Sequence, residues 1–129
     1  MKYISLLATA IICFTSCAET LEERADREAK EFTKKNCPAP VSREVAIDSM
    51  TFSQASKTFN YYYSISPKYD TKELDIKKTE EMLLRELRIQ TNLIKYKQAG
   101  FSFRYIYYAL KNPKKHVIDI TFKKEDYGM

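Results

Sequence analysis

The sequence predicts a two-layer α+β domain in which a four-stranded antiparallel sheet carries two helices on one face. Three observations predict it. Apolar residues recur at helical spacing over two segments and alternate with period two over four others, and the order helix, strand, strand occurs twice with an offset of roughly sixty residues. The simplest way to bury these faces is to lay both helices on one side of a common sheet.

In the first helix Leu21, Ala25, Ala29 and Phe32 form one apolar stripe with the charged residues opposite. Asn36 is a suitable left-handed terminator, and Pro38 and Pro40 cannot continue a helix. Two runs rich in β-formers follow, Val45 to Phe52 and Thr58 to Ser66, joined by the polar stretch from Ser53 to Lys57, and these make a hairpin. Pro67 stops the strand. Asp70-Thr71-Lys72-Glu73 then offers a capping box for a long second helix that closes at Gly100. Its stripe of Ile76, Leu83, Leu87 and Ile94, widened by Met82, Ile89, Leu93 and Tyr96, covers nearly half the circumference, a width that only a packed face needs. A second hairpin runs from Phe101 to Leu110 and from Val117 to Lys123, with a turn between Lys111 and Lys115.

Strand alternation assigns the two sheet faces. Phe59, Tyr61, Tyr63 and Ile65 share one side, as do Phe101, Phe103, Tyr105 and Tyr107, and Ile118, Ile120 and Phe122; these face the helices. Val45 and Ile47 alternate in one phase and Met50 and Phe52 in the other, so a bulge is expected near Asp48 or Ser49. The opposite phase puts Tyr62, Arg104, Ile106, Tyr108 and Leu110 on the open side, together with Asp48 and Asp119. Tyrosine and arginine are favoured at interfaces and aromatic rings stack on sugars, which makes Tyr62, Arg104, Ile106 and Tyr108 the candidate contact residues for a protein or glycan partner. The structural alternative is that Tyr62 and Tyr108 are cross-strand neighbours that support the sheet.

The chain has few reactive groups to assemble. His116 is its one histidine and sits beside Lys114 and Lys115 at the expected turn, with no serine or cysteine motif to serve. There is no HExxH, no close pair of cysteines, no acidic calcium loop and no glycine-rich phosphate loop, so neither a metal nor a cofactor is expected. A glycan hydrolase needs two carboxyls in a cleft; Asp48, Asp119 and the Glu125-Asp126 pair are the available ones, and they read as solvated surface residues. No basic stripe points to nucleic acid.

The first sixteen residues read as a secretory signal. Lys2 precedes an apolar run from Ile4 to Phe14, too short to span a bilayer, and small residues follow. Phe14-Thr15-Ser16-Cys17 resembles the lipobox of bacterial lipoproteins, with Phe in place of the usual Leu. The resemblance implies cleavage before Cys17, palmitate-type acylation of that residue and a membrane anchor; an ordinary secretory signal that happens to hold a cysteine is the alternative. Residues 17–129 then form one domain with formal net charge lowered from +5 to +4 by the loss of Lys2. Cys13 leaves with the leader, so Cys37 has no intramolecular partner; it reads as a small buried hydrophobe at a helix end, with a thiol open to an intermolecular disulfide as the alternative.

Leader and layout together resemble the small lipoproteins of unknown function common in Bacteroidota. That resemblance implies the cell envelope, and Ala18 directly after the cysteine is similar to lipoproteins sent to the outer membrane; Glu19, Glu22 and Glu23 are loosely similar to signals for surface display. The function expected is a non-catalytic, lipid-anchored binding or structural module. The alternative is an inhibitor or immunity protein acting on an envelope enzyme or toxin, by analogy with tandem helix-strand-strand folds of the β-lactamase-inhibitor-protein or PepSY type. A hydrolase is the least supported.

Overall fold

The computed structural model describes residues 18–69 and 71–128. The leader, Cys17 and the acceptor Asp70 lie outside the described residues. Helix α1 (Leu21–Asn36) is followed by β1 (Ala39–Pro40), β2 (Val45–Ser53), β3 (Thr58–Ile65), a 3-10 turn at Thr71–Glu73, α2 (Ile76–Ile89), a second 3-10 turn at Thr91–Leu93, α3 (Ile94–Gln98), β4 (Ser102–Ala109), β5 (Asn112–Phe122) and α4 (Lys124–Tyr127). The sheet has five strands in sequence order. Outer pairs are antiparallel, whereas β3 and β4 run parallel.

That parallel pair corrects the antiparallel expectation. The chain leaves β3, travels back along the sheet through α2 and α3, and re-enters at the end where β3 began, which is the connection that parallel neighbours require. The fifth strand, β1, is only two residues long and borders the first part of β2. Beyond it the outer edge of β2 would be unpaired, but α1 covers it: the Thr33 hydroxyl accepts from the Met50 N–H at 2.9 Å and lies 2.8 Å from the Met50 carbonyl. The expected bulge is present, with the register of β2 slipping between Ile47 and Ser49.

The second helix is shorter than its pattern suggested. Asp75 caps α2 by accepting from the Lys78 N–H at 3.0 Å, and the helix breaks at Gln90. Lys97 ties the pieces together. This lysine is 2% exposed, and its ammonium donates to the carbonyls of Leu87 (2.7 Å) and Arg88 (3.2 Å) at the end of α2, where helix carbonyls lack partners. Burial pushes its pKa down. Because the break turns the chain, Leu83, Leu87, Leu93 and Tyr96 are buried while Ile76, Met82, Ile89 and Ile94 stay exposed, so the wide apolar stripe is packed on one flank only.

Other termini differ in detail. Asn36 ends α1 without a left-handed turn, because the capping residue Cys37 is extended, whereas Gly100 does take φ +79°. Cys37 is a free thiol, half-buried rather than fully so, and burial raises its pKa. Strand β5 begins at Asn112, so Pro113 and His116 lie in the strand and not in a turn; an edge strand tolerates this proline. Glu125 and Asp126 belong to α4, where Asp126 accepts from the Lys123 N–H at 2.8 Å as a cap. Tyr127 of α4 is fully buried, its hydroxyl donating toward the carbonyls of Phe101 (2.9 Å) and Lys97 (3.1 Å).

Among the described residues all four helices contribute to a single cluster on one sheet face, built from Ala25, Ala29, Leu83, Leu87, Leu93, Tyr96 and Tyr127 against the aromatic strand residues. Leu87 is 0% exposed at its centre. Leu87→Ala should therefore destabilise the protein by about 2–5 kcal/mol, read from the shift of the urea midpoint at constant slope. An unchanged midpoint would mean that α2 does not bear on the sheet.

Candidate functional site

The opposite face of the sheet carries no helix among the described residues, and the alternation of β3, β4 and β5 decides which side chains reach it. Opposed pairs on this side are Thr51 with Asn60, Ser49 with Tyr62, Asn60 with Arg104, Tyr62 with Ile106, Ile106 with Asp119, and Tyr108 with His116. Tyr62, Arg104, Ile106 and Tyr108 are thus brought onto one surface as expected. Ile106 has a different part in it, however. At 2% exposure it offers a partner almost nothing and forms the floor between its neighbours. Tyr62 and Tyr108 are not directly opposed, since the parallel register puts Ser64 beside Tyr108.

Two polar clusters organise the face. In the first, Arg104 grips Asp119 through both carboxylate oxygens, Nε to Oδ1 at 2.8 Å and Nη2 to Oδ2 at 2.6 Å. The hydrogen-bonded guanidinium holds the Asp119 carboxyl below the usual carboxylate range. His116 stands at its edge, Nδ1 lying 3.8 Å from Asp119 Oδ2. In the second cluster Asp48 is the extra residue of the β2 bulge. It accepts from the Ser64 hydroxyl at 3.0 Å and from the Tyr108 hydroxyl. Burial and this hydrogen bond to a carboxylate push the Tyr108 pKa up to about 12, so the phenol stays a donor at neutral pH.

Between the Arg104 cluster and the β2–β3 turn lies a shallow depression of about 650 Å³ lined by Ser53, Thr58, Asn60, Tyr62, Arg104 and Asp119. Hydroxyls, an amide, one aromatic ring and one fixed ion pair can hydrogen-bond to and stack on a partner. Each of the two carboxylates is held by donors of the protein, Asp48 by the Ser64 and Tyr108 hydroxyls and Asp119 by the Arg104 guanidinium. Among the described residues no group of three or more His, Cys, Asp or Glu could hold a metal ion.

Sequence reasoning placed Asp48 and Asp119 on the open side but missed what holds them. Both sit in similar short segments, Ile47-Asp48-Ser49 and Ile118-Asp119-Ile120, and that signal gives a face without giving a partner. Arg104 and Asp119 are fifteen residues apart and become neighbours only in the β4–β5 register.

Comparison with known proteins gives a family and a fold. Residues 20–118 match the family described as a domain of unknown function, DUF8479. The chain belongs to this family. No curated protein matches it in sequence. Among solved structures it is similar to the type 2 secretion system pilotin EpsS from Vibrio vulnificus, with TM-score 0.68, 9% identity and 84% of this chain covering 92% of that one. It is similar also to the type II secretion system pilotin AspS from Vibrio cholerae (TM-score 0.62, 12% identity, 81% and 90% covered). A third likeness is to a Pseudomonas aeruginosa protein predicted to be secreted (TM-score 0.67, 10% identity, 85% and 99% covered). At these identities the likeness is one of fold, and it extends over nearly the whole of each neighbour.

The Arg104–Asp119 pair has a pH signature. Folding lowers the Asp119 pKa from 3.8, so its stabilisation is complete above that value and is lost as pH falls through the lower folded one. The pair is about one-third exposed, which limits its contribution to ~1 kcal/mol or less. Asp119→Asn should accordingly lose less stability than the wild type when urea midpoints are compared at neutral pH and near pH 2. Equal acid sensitivity would mean that the pair is energetically idle.

Proposed function

We propose that this DUF8479 protein is a lipid-anchored, non-catalytic module of the cell envelope that holds a protein partner on the open face of its sheet, with Tyr62 and Arg104 as the main contacts. One observation carries the reading: no described helix covers this sheet face, and on it Arg104 is fixed by Asp119 and Tyr108 by Asp48, with Tyr62 beside them. Side chains ordered in advance lose less freedom on binding, and tyrosine and arginine are the usual energetic centres of an interface. The fold shared with two pilotins of type 2 secretion systems supports a protein partner in preference to a substrate. In this reading Cys17 is acylated and the module resides at the outer membrane, while Ile106 contributes shape and Tyr108 contributes its fixed hydroxyl.

The test uses the full chain in its host, with a photo-activated cross-linking residue at Thr51, which is exposed on the same face. A discrete adduct is expected there and none from the same residue at Met82 on the helical layer. Tyr62→Ala and Arg104→Ala should each keep the fold and weaken the adduct, since truncating such contacts typically loses ~2 kcal/mol, roughly thirtyfold in affinity. Tyr108→Phe is the suitable change at the third position, because it removes the hydroxyl that donates to Asp48 while keeping the ring and its packing. An undiminished adduct in the folded Tyr62 and Arg104 variants refutes the face as the site.

A further inference from the structure

Isoleucines at one corner of the molecule are exposed where packing gives no reason for it. Ile89 ends α2 with 71% of its surface exposed and Ile94 opens α3 with 42% exposed, and between them lie the exposed polar residues Gln90, Thr91 and Asn92 and the buried Leu93. This corner arises where Lys97 folds the broken helix back on itself.

Contacts of α1 place the same corner at the end of the domain where α1 begins. Glu22, in the first turn of α1, lies 3.5 Å from the Lys57 ammonium in the β2–β3 turn, and the Arg24 guanidinium lies 6.0 Å from the centre of the Tyr96 ring. The Tyr96 hydroxyl donates to Glu28 at 2.9 Å, and Tyr96 follows Ile94 by two residues on α3. Only Ala18, Glu19 and Thr20 separate Cys17 from α1, a reach of roughly 10–14 Å for an extended chain. Any lipid attached at Cys17 would hold this end of the protein against the bilayer. By contrast Leu110, 49% exposed, donates its N–H to the Ile65 carbonyl at the other end of the sheet.

We propose that the α2–α3 corner, through Ile89 and Ile94, seats in the lipid surface to which Cys17 is anchored. This inference rests on the acylation of Cys17. Apolar side chains held at an interface by a covalent lipid enter the boundary between headgroups and acyl chains, ~5–10 Å deep. The immersed corner then fixes the orientation of the domain, and the basic groove at the far end, which includes Lys68, Lys111 and Lys115, points away from the bilayer.

The test uses the full chain, expressed in a bacterium with lipoprotein processing and reconstituted into phosphatidylethanolamine–phosphatidylglycerol vesicles. Ile89→Cys, Ile94→Cys and Leu110→Cys, each on a Cys37→Ser background, carry a nitroxide, and collision rates with oxygen and with a water-soluble nickel chelate are compared. Labels at 89 and 94 should show a severalfold higher oxygen-to-nickel ratio than the label at 110. With acyl mass present on the Cys17 peptide, ratios at 89 and 94 equal to that at 110 overturn the orientation and leave the anchor standing. Labels at 89 and 94 shielded from both quenchers would mean that a second copy covers the corner, which also overturns it. A Cys17 peptide without acyl mass removes the anchor, and the inference falls with it.

Discussion

The stack of aromatic rings across the parallel β3–β4 seam is the interaction on which the rest of the structure depends. Phe59 lies on Phe103 (centroids 5.6 Å, planes 9° apart), Tyr61 on Tyr105 (4.8 Å, 9°) and Tyr63 on Tyr107 (4.5 Å, 15°). Parallel register brings each of these residues directly beside its counterpart, so the rings form a continuous ladder. Each such pair contributes about 0.5–1.5 kcal/mol beyond the area it buries. Slipping one strand by a single residue would turn every one of these rings to the other face, so the ladder also fixes register. The crossover through α2 and α3 follows from that seam, because parallel neighbours cannot be joined by a tight turn.

The same alternation that turns Tyr61, Phe103 and Tyr105 toward the helices turns Tyr62, Arg104 and Ile106 away from them. One face consequently carries the core, and the other is left uncovered by the described helices. Phe59, Phe103, Tyr105 and Tyr107 of the ladder are buried and Tyr61 and Tyr63 partly so, and burial pushes the Tyr107 pKa up to about 12 and those of Tyr61, Tyr63 and Tyr105 higher still. They stay neutral at physiological pH. The open face is ordered by different means, charge-assisted hydrogen bonds at Asp48 and Asp119, which hold side chains in place without covering them.

How much of this was legible in the sequence follows from what periodicity can record. Period two assigned the faces of β3, β4 and β5, and the phase change between Ile47 and Met50 gave the bulge. Alternation says nothing of strand direction, so the parallel seam was not readable from it. The stripe from Ile76 to Tyr96 was real, but its single-helix reading failed because the break at Gln90 is stabilised by Lys97, whose ammonium reaches back to carbonyls nine and ten residues earlier. Tyr127 shows the same limit: four residues of α4 form because the ring has a buried seat beside Phe103, which only the assembled core provides. In the site, Tyr62, Arg104 and Tyr108 were recognised by face, whereas the burial of Ile106 and the partners of both aspartates depended on register.

Division of labour between the two faces is tested most directly by hydroxyl-radical footprinting of Tyr62 and Tyr108 in intact envelopes and in the purified protein, with Met82 on α2 as the internal reference. A face occupied by a partner predicts severalfold protection of both tyrosines in envelopes and equal labelling of Met82 in the two preparations. Equal labelling of Tyr62 and Tyr108 in envelopes and in purified protein would contradict the assignment of the open face as the contact surface.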